Sequence, residues 1–203
     1  MTVLGVVMAG GLNTRFGDIK AFAQVGGMRI IDRVRAVLHA VADEVVLSAN
    51  DLSAYAATGL PARPDLIPGL GALGGVHAAL SWARERGDAG ILAVACDMPF
   101  PSVELLRLIR DLAPAHDAVL PESDSRRGLE PLFGYYSLAC LPAIEAAMAR
   151  ADRRMIGFHA DIDLHHVPLE EVRKLGDPTL MFMNVNTREE LELAQRRAAE
   201  QHA

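Results

Sequence analysis

The sequence predicts an α/β fold: an open, mostly parallel sheet with helices on both faces. Three observations point to it. Two uninterrupted apolar runs, Val3–Ala9 and Ile91–Cys96, read as strands covered on both sides. Segments with apolar residues at helical spacing alternate with these and other short strand-like runs. Hydrophobic residues make up 51% of the 203-residue chain and aromatics only 5%, so Ala, Val and Leu build the interior, as suits helices packed on a parallel sheet. No internal repeat, low-complexity stretch or linker divides the chain, and residues 1–203 are expected to form one domain.

The elements follow in order. Val3–Ala9 opens the sheet and breaks at Gly10-Gly11. Ile30–Val41 places Ile30, Ile31, Val34, Val37, Leu38 and Val41 along one helical face. Glu44–Ser48 is the next short strand, and Asp51–Ala57 is a helix candidate with Asn50 or Asp51 near its cap. The glycines between Pro68 and Gly75 introduce a helix over Leu73–Arg86. Ile91–Cys96 is the second buried strand and ends at Asp97. Ser102 caps a helix over Val103–Leu112, and Ala118–Leu120 starts another strand. Leu132–Tyr136 is a strand ahead of a Pro142–Arg150 helix. Leu164–Pro168 and Leu180–Val185 are the last strand candidates, and Thr187–Gln201 is a charged, amphipathic terminal helix. The order is β-α-β-α-β-α with a less regular second half. It describes a single-domain, Rossmann-like sheet whose ligands sit beyond the carboxyl ends of the strands.

A formal charge of −6 argues against a general nucleic-acid surface, which needs a basic field. The Met1 end lacks a basic region ahead of an apolar core, and no apolar run approaches transmembrane length, so a cytoplasmic protein is expected. Cys96 and Cys140 have no partner spacing for zinc or a redox pair and read as small buried apolar side chains. His165-His166 point to opposite faces if they lie in a strand, which makes surface histidines of them rather than a metal site.

The most informative segment is Val6 to Lys20. The first apolar run breaks into Gly10-Gly11, and Arg15, Gly17 and Lys20 follow within ten residues. Glycines let consecutive N–H groups converge on phosphate oxygens, and Arg and Lys neutralise charge that backbone dipoles alone cannot. The loop therefore reads as a polyphosphate site. It is not the P-loop, since Gly17 is followed by Asp18-Ile19-Lys20, and it lacks the spacing of the dinucleotide fingerprint.

Three more segments lie at strand ends. In Val94-Ala95-Cys96-Asp97-Met98-Pro99-Phe100, a carboxylate directly after a buried strand is placed to hold a hard cation such as magnesium, which takes a few carboxylate oxygens plus substrate phosphates. The alternative is that Asp97 caps a turn or the next helix. Asp65 to His77 is rich in Gly and Pro and allows close approach to a base or sugar, or serves as a flexible connection. Phe182 to Thr187 would, as a strand, turn Asn184 and Asn186 the same way, toward a metal or a polar substrate. The competing role there is helix capping by Asn186 or Thr187.

With these residues in view, the chain resembles the molybdenum cofactor guanylyltransferase family, the MobA-type enzymes of the nucleotidyltransferase superfamily. The matching segments are Met8-Ala9-Gly10-Gly11 through Arg15, Gly17 and Lys20; Gly69 through Gly75; Cys96-Asp97-Met98-Pro99-Phe100; Glu130-Pro131-Leu132-Phe133-Gly134; and Asn184-Val185-Asn186-Thr187. The glycine loop alone fits the whole superfamily, and the other segments narrow it.

The resemblance implies a nucleotide-diphospho-sugar transferase-like fold and transfer of GMP from GTP to molybdopterin, with magnesium as cofactor. By matching position it implies that Gly10, Gly11, Arg15 and Lys20 cradle the triphosphate and that Asp97 holds the metal. It further implies that Asn50, Asp65 and the Leu12 backbone meet the guanosine. Asn184 and Asn186 fall near the metal or the pterin phosphate, and Arg126 and Arg127 on the pterin side, with Arg153 and Arg154 as weaker candidates there. Lys20, Arg15 and Asp97 are the expected catalytic set. Other molybdenum cofactor biosynthesis proteins and molybdoenzyme chaperones are the partner proteins the resemblance suggests, with no nucleic acid and no membrane. Phe16, Ile19 and Ala72 stand where family members often carry Met, a polar residue and Pro. The rival readings are a cytidylyltransferase acting on the same pterin with CTP, a sugar-phosphate or methylerythritol-phosphate nucleotidyltransferase, and a nucleotide-binding regulatory module without turnover.

Overall fold

The computed structural model describes residues 1–10, 20–126 and 128–201. Along the chain run β1 (Val3–Met8), a 3-10 turn at Lys20–Phe22, β2 (Gln24–Val25), β3 (Met28–Arg29), α1 (Ile30–His39), β4 (Glu44–Ser48), β5 (Ala62–Arg63), α2 (Gly71–Arg86), β6 (Gly90–Ala95) and α3 (Val103–Leu112). Then come β7 (Ala118–Pro121), β8 (Phe133–Ser137), α4 (Cys140–Ala149), β9 (Leu164–Val167), α5 (Leu169–Leu175), α6 (Pro178–Met181) and α7 (Arg188–Glu200).

Seven strands form one sheet in the order β5-β4-β1-β6-β8-β7-β9. Pairings are parallel from β5 through β6 and again between β7 and β9, while β8 runs antiparallel to both of its neighbours. The mostly parallel sheet expected from the sequence is therefore present, with one strand reversed. The reversal follows from the short β7–β8 connection, which permits a hairpin but not the long crossover that a parallel pair needs.

Strands β1 and β6 are buried along their whole length. Alternate side chains feed two cores. Val3, Val7, Leu92 and Val94 pack with Ile31, Leu38, Leu105 and Ile109 of α1 and α3 on one face. Leu4, Val6, Ile91 and Ala93 pack with Leu73, Leu80, Leu141 and Ile144 of α2 and α4 on the other. Covering both faces is why these strands read as continuous apolar runs, and each fully buried aliphatic side chain contributes about 1.5–3 kcal/mol. Cys96 and Cys140 are both buried, and burial pushes the Cys140 thiol up to about 12.

Helix starts follow local chemistry. The Ser102 hydroxyl accepts from Leu105 N–H at 3.2 Å and caps α3. Thr187 and Glu190 form a reciprocal capping box at the start of α7.

Two expected elements are absent. Asp51–Ala57 is not a helix: Asp51 accepts from the Ser53 hydroxyl (2.7 Å) and Ala54 N–H (3.1 Å), and only a 3-10 turn at Ala56–Thr58 follows. This side-chain closure competes with helical bonding, and among residues 51–57 only Tyr55 is buried to hold a helix down. Leu180–Val185 is not a strand. Asp177 accepts from Thr179 N–H at 2.9 Å and Pro178 occupies the first helical position, so the chain makes the single turn of α6 and then runs on irregularly. The β2–β3 hairpin, β5 and α5 were not expected. The hairpin turns through Gly26 and Gly27, with φ of +58° and +78°, a left-handed pair that glycine adopts without strain.

Candidate active site

From β1 the chain passes to β4 through α1 on one face, and it returns to β6 through α2 on the other. The connections change direction at the β1–β6 boundary, and open α/β sheets bind ligands in the crevice beyond the strand ends at such a point. Interstrand bonds continue to that rim. Ala9 N–H donates to Ser48 C=O at 2.8 Å and Cys96 N–H to Met8 C=O at 3.0 Å. Asn50, Gly10 and Asp97, each one or two residues farther on, therefore leave three neighbouring strands side by side. Gly10 is exposed, and a Cβ there would meet no described residue within 4 Å. Gly11, Leu12 and Arg15 lie outside the described residues, as does Arg127; Lys20 begins the 3-10 turn that follows the loop.

On the β4 side, Asn50 and Asp65 form a closed pair. The Asn50 amide donates to Asp65 Oδ2 at 2.9 Å, and its oxygen accepts from Asp65 N–H at 2.9 Å. The pair extends the strand ladder, since Ala49 N–H donates to Arg63 C=O at 3.0 Å. Helix α2 lies close behind it. A Cβ on Gly75 would sit 2.8 Å from Met8 Cε, 3.4 Å from Ser48 Oγ and 3.7 Å from Asp65 Oδ1, so the start of α2 lies directly against this part of the rim. Ser48 Oγ and Asp65 Oδ1 are buried without a hydrogen-bond partner among the described residues. An unmet buried polar atom of this kind costs about 1–3 kcal/mol, which a donor arriving from a ligand would offset.

In the centre, Asp97 is half-buried in the turn after β6. Its carbonyl accepts from Val185 N–H at 2.9 Å, so the segment carrying Asn184 and Asn186 does reach this rim although it is not a strand. The Asn184 amide donates to Phe182 C=O at 3.0 Å. Asn186 is exposed, and its N–H donates to Glu190 Oε2 at 2.5 Å beside the α7 cap. Among the described residues no three His, Cys, Asp or Glu side chains gather as a metal cluster. A strand-end carboxylate such as Asp97 still fits a hard cation that takes most of its ligands from water and phosphate oxygens.

A third apolar cluster braces these pieces. Val25 from the hairpin after Lys20, Ile30 at the start of α1, Val185 from the asparagine segment, and Ala194 and Ala198 from α7 are its buried members, with Phe100 of the Asp97 turn against them. Arg33 ties two of the segments together. Its guanidinium donates to Val25 C=O from Nε (3.1 Å) and Nη2 (2.6 Å) and lies 6.0 Å from the Phe100 ring centroid. Burial lowers its pKa from the ordinary arginine value, yet a guanidinium stays charged. Sequence reading missed Arg33, which sits inside α1 and bonds a backbone carbonyl.

On the far side, β7 and β8 extend past the sheet into a hairpin tip pinned by the Glu122–Leu129 bridge. Arg126 is exposed at that tip. Arg154 is held by Asp152 at 2.7 Å. His165 stacks on His116 with ring centroids 4.5 Å apart, whereas His166 lies 3.9 Å from Glu122, as opposite faces of a strand require.

With this geometry established, comparison with known proteins places it. Residues 5–164 match the MobA-like NTP transferase domain. A probable molybdenum cofactor guanylyltransferase of Pelotomaculum thermopropionicum is 38% identical over 187 residues, covering 92% of this chain and 89% of the relative. The molybdenum cofactor guanylyltransferase of Desulfosudis oleivorans is 32% identical over 195 residues, 95% and 94% of the two chains. Among solved structures, molybdopterin-guanine dinucleotide biosynthesis protein A of Archaeoglobus fulgidus shares the fold with a TM-score of 0.79 at 24% identity, over 98% of this chain and 100% of that one. The rim, the reciprocal pair and the strand-end aspartate thus sit in a known framework: the chain belongs to the MobA-like NTP transferase domain family.

Proposed function

We propose that this nucleotidyltransferase transfers GMP from GTP to the terminal phosphate of molybdopterin, giving molybdopterin guanine dinucleotide and pyrophosphate. The observation that carries the choice of base is the Asn50–Asp65 pair, with its second carboxylate oxygen unmet among the described residues. Guanine N1–H and its 2-amino group form an adjacent donor pair that cytosine lacks, and a fixed carboxylate is the matching acceptor. Relatives at 38% and 32% identity carry guanylyltransferase names, which favours GTP over the cytidylyl alternative.

The reaction needs no protein nucleophile. A phosphate oxygen of the pterin attacks the α-phosphorus in line, the bond to the bridging α–β oxygen breaks, and pyrophosphate leaves with that electron pair. The attacking phosphate is ionised at neutral pH, so no general base is required. In this reading Gly10, Gly11, Arg15 and Lys20 hold the triphosphate and neutralise charge, with the Leu12 backbone near the base. Asn184, Asn186, Arg126 and Arg127 orient the pterin phosphate, and positioning supplies much of the rate. Asp97 would hold magnesium, which when bound screens the phosphates and stabilises the leaving group.

The whole of residues 1–203 acts as one nucleotidyltransferase domain in this account, because the segment beyond the family match returns to Asp97 through Val185. A cytoplasmic setting, with other cofactor-biosynthesis proteins or molybdoenzyme chaperones receiving the product, goes with the same reading. Among the described residues no helix is long and apolar enough to cross a membrane. The test is pyrophosphate release with magnesium and molybdopterin, comparing GTP with CTP. Release with GTP is expected; release with CTP alone would move the protein to the cytidylyl branch, and silence with both would reject the acceptor.

A further inference from the structure

Beside the hairpin tip lies a cavity of about 230 Å³, walled by Ser123, Ser125 and Glu130 on one side and by Pro178, Thr179 and Phe182 on the other. It is smaller than the roughly 300–1,000 Å³ of pockets that enclose drug-sized ligands, and suits one flat bicycle rather than a nucleotide. Its polar wall is organised. Ser123 is buried, and its Oγ lies 2.7 Å from Glu130 Oε1 and 2.8 Å from Ser125 Oγ. A hydroxyl has one proton, so Ser123 donates to the carboxylate and accepts from Ser125. That leaves Glu130 Oε2 without a partner among the described residues. Asp124, the other carboxylate at the cavity, is already engaged by Arg173 at 3.0 Å. Across the gap the Phe182 ring is fixed edge-on against Phe133, with centroids 5.5 Å apart.

The cavity also adjoins the reaction centre. Leu132 C=O, two residues after Glu130, accepts from Ala95 N–H at 2.9 Å, so this segment runs along the strand end that leads to Asp97. Phe182 leads in the other direction to Asn184 and Val185, the latter bonded to Asp97.

We infer that this cavity is the seat of the pterin ring and that Glu130 is the residue that recognises it, accepting from the ring N3–H and 2-amino group together. The inference rests on the guanylyl-transfer reading for its choice of pterin. Pterin and guanine carry the same 2-amino-4-oxo-pyrimidine donor edge, so the two halves of the product would each be read by a carboxylate: Asp65 beyond the β4–β5 edge and Glu130 beyond β7 and β8, with Asp97 after β6. The apolar walls of Pro178 and Phe182 supply surface for a flat heterocycle.

The test separates pterin recognition from turnover. Binding of pterin-6-ylmethyl phosphate and of its lumazine counterpart, which has a 2-oxo in place of the 2-amino group, is followed by ligand fluorescence on the intact protein without GTP. Wild type is expected to prefer the pterin by about tenfold or more, because a carboxylate facing a carbonyl oxygen leaves both unpaired. Glu130→Gln keeps the acceptor for Ser123 and adds a donor for the 2-oxo group, so the preference should vanish or invert while GTP binding stays unchanged. Should Glu130→Gln fold poorly, Glu130→Asp is expected to weaken pterin binding but keep its preference. An unaltered pterin-to-lumazine ratio in Glu130→Gln, or no pterin preference in wild type, overturns the assignment. Failed transfer with intact pterin selectivity would instead reject guanylyl transfer and leave Glu130 in place.

Discussion

The two carboxylates that flank the strand-end crevice are held in different ways. Asp65 is fixed by backbone: parallel strands run directly into it, Asn50 closes a reciprocal pair around it, and Gly75 lets α2 pack behind it. Glu130 is fixed by side chains, a serine relay on a hairpin tip facing a single turn of helix. Base selection should therefore depend on the strand ladder, and the pterin side on the serine relay.

The largest effects are expected between the two, where both halves depend on the same groups. Asp97→Ala should reduce pyrophosphate release below detection with either nucleotide, and Lys20→Ala should cost about 10²–10³ in rate if it neutralises transition-state charge. Near-wild-type transfer by either variant would remove that residue from the mechanism. The contrast itself is tested next. Asp65→Ala should lower the GTP/CTP discrimination ratio by about 10- to 100-fold while leaving the pterin KM unchanged, the usual consequence of deleting a hydrogen-bonding partner for a substrate N–H. A change in both KM values would mean that the two sides are not independent.

The motif that contains Glu130 also contains Gly134, and the two do different jobs. A Cβ on Gly134 would lie 2.7 Å from Val119 C=O and 2.4 Å from Leu120 Cδ2, inside the β7–β8 pairing. Gly134→Ala should cost about 1–3 kcal/mol of stability by overpacking, read as a lower urea midpoint, with nucleotide selectivity intact in the folded fraction. Wild-type stability in this variant would show that β8 shifts freely and that the hairpin tip is not anchored by the sheet.

Legibility in the sequence follows the same divide. In the parallel half, burial on both faces writes itself as apolar runs, and the expected strands at Val3–Ala9 and Ile91–Cys96 differ from the observed ones by a residue at their ends. Glu44–Ser48 and Val103–Leu112 match in full. The second half is organised by contacts distant in sequence. Val185 bonds to Asp97, and Phe182 packs on Phe133, neither of which has a local signature. The largely apolar run at Leu180–Val185 therefore reads as a strand when Asp177-Pro178 in fact starts a helical turn. Asn184 still reaches the Asp97 rim, because the apolar residues that suggested a strand are the ones that dock the segment. Arg33 was invisible for a related reason: its partner is a backbone carbonyl, which has no letter in the sequence.

The last expected effect lies at the β9 edge and concerns pH. His159, just ahead of β9, is held down to about 4 from the ordinary 6.5 by burial first and by His166 second, and its Nε2 finds no hydrogen-bond partner among the described residues. The folded protein thus resists a proton that the unfolded chain accepts. Between about 6.5 and about 4 the unfolded state binds more protons, so stability falls as pH drops through that window and is unaffected by this group above it. Replacing the imidazole with a ring that cannot be protonated, His159→Phe, should flatten this part of the Tm-against-pH curve from pH 7 to 4.5 while transfer activity at pH 7 stays as in wild type. Parallel curves for the two proteins would mean that His159 protonates as readily in the fold as out of it. A loss of activity at pH 7 would mean that the β9 edge and the crevice are coupled, and that the two carboxylate sites share more of the sheet than their separate supports suggest.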